Sequence, residues 1–340
     1  MIKRYFLQQY MQEQYVHGGV TNVDAEKLLL AEGIESIFFP CHDSFSLRAK
    51  FTRLIFLVKK SREIKKGSVV FFLFPLYATM EKLFLRVLLK RKVTLVCYIV
   101  DIDGIKDGDE KLLEKEVHFF QRLKYFIVLN AAMDKWLKER VPGAVTSAIN
   151  FHSFLTRPVY RERVKSFQIV FAGNLAKSPF LEQLHLLNKQ SPLLHFNLYG
   201  PDPSGPMMDQ ANVTYHGVEK PYELPEKLVG SFGLVWEGTS IEKPESSIGH
   251  YIQYITHHKL SLYIISGLPV IISVTAGTAP LVEKYKIGLT IHNLYELEAK
   301  IKSVTEEEYL QMQANMRPLA EKASKGEFLA DAVAEIMGKL

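Results

Sequence analysis

Two carboxylates follow a strongly apolar segment in the first half of the chain. Asp101 and Asp103 come directly after residues 93–100, whose composition is typical of a buried strand. Carboxylates at the carboxyl end of such a strand are well placed to act as a general base toward a hydroxyl group. If the strand continues, both side chains lie on one face. A solvated acidic loop and a divalent-metal site of the DxD kind are the alternatives.

A glycine turn in the second half could bind an anion. Gly173 and Asn174 lie in the stretch FAGN, between a predicted strand and a helix predicted to begin near Pro179. Free backbone N–H groups at such a turn attract anions, and Lys177 lies close enough in sequence to reach the same anion. An ordinary turn with an exposed lysine is the alternative. The stretch lacks the GxGxxG and GxxxxGK(S/T) patterns, which argues against nicotinamide enzymes and P-loop NTPases.

Three further turns contain residues that could contact a nucleotide. Tyr199 ends a predicted strand and could either stack on a base or complete the core. Gly217 and Val218 follow another predicted strand, where free backbone groups could contact the edge of a base. Gly18 and Gly19 precede the first predicted helix and would allow close approach of a ligand to the backbone. A plain turn is the alternative at both glycine-containing sites.

The segment THHKLSLYIISGLPVI, residues 256–271, predicts a helix with basic residues at its start. His257, His258 and Lys259 lie in its first turn, and Gly267 ends it. A lysine near a helix N-terminus is disfavoured by the helix dipole, and a bound diphosphate would compensate for it. A solvated lysine is the alternative. The two adjacent histidines lack a third ligand at helical spacing, which argues against a structural metal site.

The composition is that of a folded protein with ordinary charge. The 340 residues are 47% hydrophobic and 23% charged, and 42 basic against 37 acidic residues give a net charge of +5. These values exclude a disordered or collagen-like chain and give no argument for nucleic-acid binding. Two cysteines are too few for a disulfide framework, so a reduced cytoplasmic compartment is expected. The N-terminal segment does not read as a signal peptide.

Short apolar segments alternate with helical patterns, which is typical of parallel sheets covered on both faces. Strands are predicted at residues 36–40, 68–75, 93–100 and 125–130, and again at 167–171, 195–199, 213–216, 232–236, 269–274 and 289–291. Residues 151–166 interrupt this alternation and are predicted to form a linker. The pattern therefore predicts two doubly wound α/β domains, with a ligand site in the cleft between them.

Two basic segments interleave with apolar residues. Residues 48–66 contain eight basic residues and one acidic residue, and residues 82–92 have a similar pattern. Basic amphipathic helices favour anionic membrane surfaces. A packed helix with a solvated basic side is the alternative.

Most of the chain resembles a group of small bacterial glycosyltransferases. The similarity is carried by FGLVWEG, GHYIQYITHHKLSLYIISGLPVII and PLVEKYKIGLTI, and by IVFAGNL and the strand end IVDID. The group includes β-1,6-galactofuranosyltransferases of surface-polysaccharide synthesis and glucosyltransferases that glycosylate adhesins. The resemblance is strongest from about residue 167 to residue 291.

This resemblance implies the GT-B architecture, an α/β fold with two facing Rossmann-like, doubly wound domains and a C-terminal helix that crosses back. The acceptor-side domain would span residues 1–155, the nucleotide-sugar domain 156–326 and the crossover helix 327–340. Lys259 would contact the donor diphosphate, Lys177 would take the place of an arginine in relatives, and Gly18 and Gly19 would face them across the cleft. The other expected donor-binding residues are Gly173, Asn174, Tyr199, Gly217, Val218, His258, Leu260 and Ser261.

The implied activity is transfer of a hexosyl unit, galactofuranose being expected, from a UDP-sugar to a hydroxyl of a lipid-linked surface-glycan acceptor. The reaction would be inverting, with neither metal nor cofactor, and Asp101 or Asp103 would be the catalytic base. Several relatives have His-Asp where this chain has Val100 and Asp101. This departure leaves open a non-catalytic partner subunit, and a UDP-glucose-dependent transferase of glycoproteins is the other alternative. Contact with an anionic membrane and a homo-oligomer are further expectations, whereas a nucleic-acid partner is not expected.

Overall fold

Two parallel six-stranded sheets organise the chain in the computed structural model, which describes residues 2–10, 19–41, 44 and 46–340. The first sheet contains β1 (Arg4–Leu7), β2 (Glu35–Ile37), β3 (Val69–Phe74), β4 (Thr94–Ile99), β5 (Tyr125–Val128) and β6 (Val145–Ala148). The second contains β7 (Gln168–Ala172), β8 (His195–Tyr199), β9 (Val213–Tyr215), β10 (Phe232–Val235), β11 (Val270–Ser273) and β12 (Gly288–Ile291).

Helices follow most strands. In the first half they are α1 (Val20–Ala31), α2 (Leu47–Glu63), α3 (Thr79–Lys90), α4 (Asp103–Lys106), α5 (Glu110–Phe120) and α6 (Ala131–Arg140). In the second half they are α7 (Gly205–Met208), α8 (Leu224–Lys227), α9 (Ser246–Tyr251), α10 (His258–Ile265), α11 (Ala279–Tyr285), α12 (Leu297–Ser303), α13 (Glu306–Lys325) and α14 (Glu327–Gly338). Short 3-10 helices occupy Leu175–Lys177, Pro179–Lys189 and Leu294–Glu296.

The strand orders place a crevice at one edge of each sheet. The second sheet has the order β12-β11-β10-β7-β8-β9, so the direction of winding reverses between β7 and β10. The first sheet, with the order β2-β1-β3-β4-β5-β6, reverses between β1 and β3. In open α/β sheets, ligands bind outside the carboxyl ends of the strands at such a reversal. The doubly wound fold expected from the sequence is confirmed.

The strands that sequence patterning missed are short or polar. β1 has four residues and β6 has the sequence VTSA, so neither shows the long apolar run that marks β3 and β4. β3 is buried along its whole length because helices cover both faces of the sheet. The sequence pattern predicts a helix at residues 222–230, but the structure has only the four residues of α8 there. It predicts no helix or strand at the position of α9.

The segment between the sheets has no helix or strand, as expected, but it is packed. Phe151 and Phe154 are buried in the core of the second half. Arg163 is buried as well, and its guanidinium donates hydrogen bonds to the carbonyls of Leu228, Gly230 and Ser266. Burial lowers the pKa of Arg163 to about 10. These contacts hold the linker against the second sheet.

The C-terminal helices connect the two halves. Gly326 separates α13 from α14 at φ +76°, and a Cβ atom there would overlap the side chain of Leu28 on α1. Four apolar residues of α14 join the core of the first half, namely Leu329, Ala332, Val333 and Ile336. The C-terminal crossing expected of a GT-B fold is therefore present, while the domain boundaries at residues 155 and 326 stay predictions. Within the described ranges, no helix is both long and apolar enough to cross a membrane.

Candidate active site

The reversal point of the second sheet contains a buried ion pair. Glu237 lies just beyond the carboxyl end of β10, and Lys259 reaches it from the first turn of α10. The ammonium group also lies 4.3 Å from the centroid of the Phe171 ring. A Cβ atom on Gly173 would lie 2.7 Å from Cε of the lysine, so the glycine leaves the space that the lysine occupies. Gly173 and Lys259, both predicted from the sequence, are thus in contact.

Glu237 supplies the negative charge that the sequence argument assigned to a bound diphosphate. Both side chains are nearly buried, that of Lys259 being 13% exposed. A buried cation needs a counter-charge, and the carboxylate provides one in the free protein. Glu237 therefore already balances the charge of this lysine in the free protein, and contact of Lys259 with a diphosphate stays a prediction.

Asn174 and Lys177 lie in the turn that follows β7. Oδ1 of Asn174 accepts a hydrogen bond from the backbone N–H of Lys177 at 3.3 Å and caps the short 3-10 helix. The Lys177 side chain is exposed, and it forms no ion pair within the part of the chain that the structure describes. The turn therefore leaves a solvated cation at the same end of the sheet as Lys259.

Tyr199 belongs to the core of the second half. Its ring is 3% exposed and stacks on His216, with 4.6 Å between the ring centroids. Its hydroxyl donates to the carbonyl of Lys227 and accepts from the N–H of Val229. The suggested stacking of a base on this ring disagrees with the structure, which places Tyr199 in the core role that the sequence left as the alternative.

The residues next to Lys259 on α10 turn inward. Leu260 and Ser261 are buried, and the Ser261 hydroxyl donates to the carbonyl of His152 at 2.8 Å. His258 is enclosed too, and its ring stacks on an aromatic ring of the linker. The side chains of these residues are therefore engaged inside the protein, so any donor contact would have to come from backbone groups.

Three buried imidazoles lie beside the ion pair. His257 Nε2 is 3.8 Å from Glu237 Oε1, and the rings of His152 and His258 lie 5.9 Å apart. Burial lowers the pKa of His152 to about 4 and that of His258 to about 3, and it lowers the pKa of His257 as well. All three rings are therefore neutral near pH 7. Both ring nitrogens of His257 are buried, and neither has a hydrogen-bond partner among the described residues.

Asp101 and Asp103 share one cation beyond the carboxyl end of β4. The strand ends at Ile99 and Asp103 begins α4, so the continued strand that would have put both carboxylates on one face is absent here. Lys106 brings them together instead. Its ammonium group donates to Asp101 Oδ2 at 3.2 Å and to Asp103 Oδ1 at 2.5 Å.

The two carboxylates differ in accessibility. The side chain of Asp101 is 37% exposed and that of Asp103 is 11% exposed. Tyr77 donates a hydrogen bond to Asp103 Oδ2 at 3.0 Å. Burial raises the pKa of Asp101, although Lys106 and the hydroxyl of Tyr251 act in the opposite direction. Asp101 is thus the more accessible carboxylate, and its raised pKa favours the uptake of a proton.

Tyr251 reaches this carboxylate from the second half of the chain. Its hydroxyl donates to Asp101 Oδ1 at 3.1 Å and accepts from the N–H of Ile102 at 2.7 Å. Helix α9, which carries the tyrosine, packs on α4. A residue from the second half therefore orients the candidate base of the first half.

Glu116 holds the backbone of the same turn. Its carboxylate accepts hydrogen bonds from the N–H groups of Asp103 at 3.2 Å and Gly104 at 2.9 Å. These groups begin α4 and have no partner inside the helix. Burial raises the pKa of Glu116 to about 7.

The remaining predicted donor residues are at turns. Gly19 is the residue before α1, and Gly18 lies outside the described residues. Gly217 follows β9, and its carbonyl accepts from the N–H of Gly200 at 2.9 Å, while Val218 is exposed. Contact of these residues with a donor stays a prediction.

Sequence reasoning did not select several residues that complete the two groups. Glu237 and Tyr251 stand inside the quoted motifs FGLVWEG and GHYIQYITHHKL, so the resemblance contained them without assigning a role. Lys106 lies three residues after Asp103, the spacing of neighbours on a helix. Among the described residues, no three histidine, cysteine or acidic side chains are grouped so that they could hold a metal ion.

Two family models match nearly the whole chain. The model for the glucosyltransferase 3-like C-terminal domain matches residues 169–336, and the model for the N-terminal domain matches residues 3–146.

Curated relatives have modest identity. The β-1,6-galactofuranosyltransferase WbbI of Escherichia coli is 26% identical over 224 residues, covering 62% of each chain. Glucosyltransferase 3 of Streptococcus gordonii is 30% identical over 179 residues, which are 50% of this chain and 49% of that protein. The matched region thus spans 62% and 49% of the length of these two relatives.

Solved structures share the fold at low identity. HepE of Anabaena, crystallised with UDP and glucose, aligns over the full length of both chains with a TM-score of 0.63 and 14% identity. Sucrose-phosphate synthase from Thermosynechococcus elongatus aligns with a TM-score of 0.68, also at 14% identity, over 100% of this chain and 99% of that one. Fold and family models together show that the chain belongs to the glucosyltransferase 3-like family of GT-B glycosyltransferases.

Proposed function

We propose that this chain transfers a hexosyl unit from a UDP-sugar to a hydroxyl of a surface-polysaccharide acceptor. The observation that carries the proposal is the nearly buried pair of Lys259 and Glu237 at the reversal point of the second sheet. This is where open α/β sheets bind nucleotides, and a lysine is a suitable partner for a diphosphate. WbbI, named as a galactofuranosyltransferase, and HepE, crystallised with UDP, support this assignment.

Donor binding exchanges the partners of the ion pair. The diphosphate takes the Lys259 ammonium group, and the solvated Lys177 adds a second cation to it. Glu237 is thereby released and faces the sugar together with His257, whose ring nitrogens have no partner among the described residues. A carboxylate and a neutral imidazole suit the hydroxyl groups of a sugar, because the first accepts hydrogen bonds and the second can both accept and donate.

Transfer is a single displacement with inversion. Asp101 accepts the proton of the acceptor hydroxyl, whose oxygen forms the new bond to the anomeric carbon. The bond from that carbon to the diphosphate breaks at the same time, and its electron pair leaves with UDP. Lys259 and Lys177 stabilise the charge that develops on UDP, as preorganised cations do at a leaving group. The reaction needs no metal ion, since two lysines supply the positive charge.

The donor sugar is tested by product analysis, with galactofuranose expected. The enzyme is incubated with UDP-galactofuranose or UDP-glucose and a panel of hydroxyl acceptors, with and without EDTA, and products are identified by mass spectrometry. Transfer from UDP-galactofuranose that resists EDTA is expected. Transfer from UDP-glucose alone would instead establish the glucosyltransferase alternative, and loss of transfer in EDTA would contradict metal independence. UDP binding without transfer to any acceptor would establish a non-catalytic subunit.

Helix α2 supports an additional proposal, that the protein binds the anionic inner face of the cytoplasmic membrane. Its apolar face is not covered by the residues that the structure describes, since Phe51 is 64% exposed. The other exposed apolar residues, at helical spacing, are Leu47, Leu54, Ile55 and Val58. Exposed basic residues flank them, namely Arg48, Lys50, Lys59 and Arg62. Each such charge contributes about 1 kcal/mol near anionic lipid, which makes this lipid surface the expected partner.

Flotation with liposomes tests the membrane contact. The wild type is expected to float with vesicles containing phosphatidylglycerol at low salt, and binding is expected to fall at least fivefold in Phe51→Ser/Ile55→Ser. The matched control Leu186→Ser/Leu193→Ser removes two exposed leucines of the second half and should float like the wild type. Absence of flotation at low salt would contradict the proposal. A dimer that the Phe51→Ser/Ile55→Ser change dissociates would assign this face to a second copy instead.

A further inference from the structure

A cavity of about 500 Å³ is lined in part by Asp103, the carboxylate that shares Lys106 with Asp101. It lies between α3 and α5, at the carboxyl end of β3. Its walls are mostly apolar, formed by Phe74, Leu76, Leu112 and Phe119. The volume is within the range of small-molecule sites. The cavity therefore has room for part of a ligand that carries an apolar group.

The mouth of this cavity is cationic. Lys82 and Arg86 stand one turn apart on α3, and Lys115 and Arg122 contribute from α5 and the turn after it. All four side chains are exposed, and none has an ion-pair partner within the described ranges of the chain. Arg122 donates a hydrogen bond to His118, which also lines the cavity. Four cations without counter-charges on one opening repel each other, and an anion bound between them would relieve this repulsion.

The acidic residues of the cavity do not neutralise this rim. Asp103 is held by Tyr77 and Lys106, and Glu116 is held by the backbone N–H groups at the start of α4. Both acids are buried. The cavity thus joins apolar walls, a cationic rim and the hydrogen-bonded group that contains Asp101.

We infer that this cavity binds the phosphate of a lipid-linked acceptor, together with the first part of its apolar chain. The inference rests on the proposed function, because it gives the acceptor side of the same active site a substrate class. The basic residues at the mouth bind the phosphate through charge-assisted hydrogen bonds, and the apolar walls contact the adjoining hydrocarbon. An acceptor bound in this way presents its sugar hydroxyls beside Asp101.

Calorimetric titration tests the inference with three probes. They are octyl phosphate below its micelle concentration, octyl β-glucoside and inorganic phosphate. Octyl phosphate is expected to bind the wild type at least tenfold more tightly than either other probe. Its Kd is expected to rise at least tenfold in Arg86→Ala/Lys115→Ala. The matched control Lys111→Ala/Lys135→Ala removes two exposed lysines of the first half that do not line the cavity, and it should change Kd less than twofold.

Three results would overturn the inference: no binding of octyl phosphate, unchanged binding in Arg86→Ala/Lys115→Ala, or equally tight binding of inorganic phosphate. The last result would define a simple anion site. A parallel titration with UDP separates this inference from the proposed function. UDP is expected to bind the wild type and Arg86→Ala/Lys115→Ala equally, which also shows that the variant is folded. A wild type that binds octyl phosphate but not UDP would contradict the proposed donor while leaving the lipid-phosphate site in place.

Discussion

Replacement of Lys259 by methionine is expected to lower kcat/KM for sugar transfer by about 10²–10³-fold, the effect of removing one preorganised group that stabilises developing charge. Methionine keeps an apolar stem against the Phe171 ring and removes the cation. Steady-state kinetics with the UDP-sugar that gives transfer measure the loss. The fall is expected in kcat as well as in kcat/KM, because the charge on UDP grows as the bond to the sugar breaks.

A second variant separates this effect from unfolding. Loss of Lys259 leaves the nearly buried Glu237 without its counter-charge, and breaking a buried pair in this way costs about 3–5 kcal/mol. The double variant Lys259→Met/Glu237→Gln removes both charges and is expected to fold but to remain inactive. Glu237→Gln alone keeps the lysine and should still bind UDP. Recovery of more than a third of the wild-type activity in the double variant would rule out the diphosphate role of Lys259.

Replacement of Asp101 by asparagine is expected to lower kcat by about 10²–10⁴-fold, which is the contribution of a general base. UDP binding should not change, because the residue belongs to the acceptor side. Asparagine keeps the size of the side chain and can still accept the hydrogen bond from Tyr251. Asp103→Asn is the comparison. We expect a smaller loss there, since Asp103 is less exposed and is engaged by Tyr77 and Lys106.

The pH dependence gives Asp101 a second readout. A general base works in its ionised form, so activity falls as the pH falls through its pKa. Burial raises the pKa of Asp101 above the ordinary value, and the acid limb of the wild-type profile should therefore lie at a higher pH than for a solvated aspartate. The residual activity of Asp101→Asn should lack this limb. Full activity in both Asp101→Asn and Asp103→Asn would show that neither carboxylate is the general base.

Local patterns were sufficient to predict the fold. The apolar runs of β3 and β4 are long enough to mark buried parallel strands, and their alternation with helices predicted the two sheets. β1 and β6 were missed because neither lies in a long apolar run, since β1 begins with Arg4 and β6 has the sequence VTSA. Their places are set by pairing with β3 and β5 in the folded sheet. Helix α9 was missed for a similar reason, since its place is set by packing on α4 in the other half.

Residues of the candidate site could be predicted only where the residue type is informative at its position in the sequence. Lys259 stands out because a cation is unusual at a helix start, and Gly173 stands out because it follows a strand. The partner that completes each group comes from elsewhere in the sequence. Glu237 pairs with a lysine 22 residues away, and Tyr251 binds an aspartate 150 residues away. Such pairings form only when the chain is folded. They determine which charged side chains have a partner before any ligand binds.

Thermal unfolding with nucleotides tests the central claim, that UDP binds at the Lys259–Glu237 pair. At about 100 times its Kd, a ligand stabilises the folded state by roughly 2.7 kcal/mol, which is a shift of a few degrees in a protein of this size. We expect UDP, but neither GDP nor CDP, to raise the Tm of the wild type and of Glu237→Gln. The shift should disappear in Lys259→Met/Glu237→Gln. No shift with any nucleotide, or an equal UDP shift in that double variant, would contradict the claim.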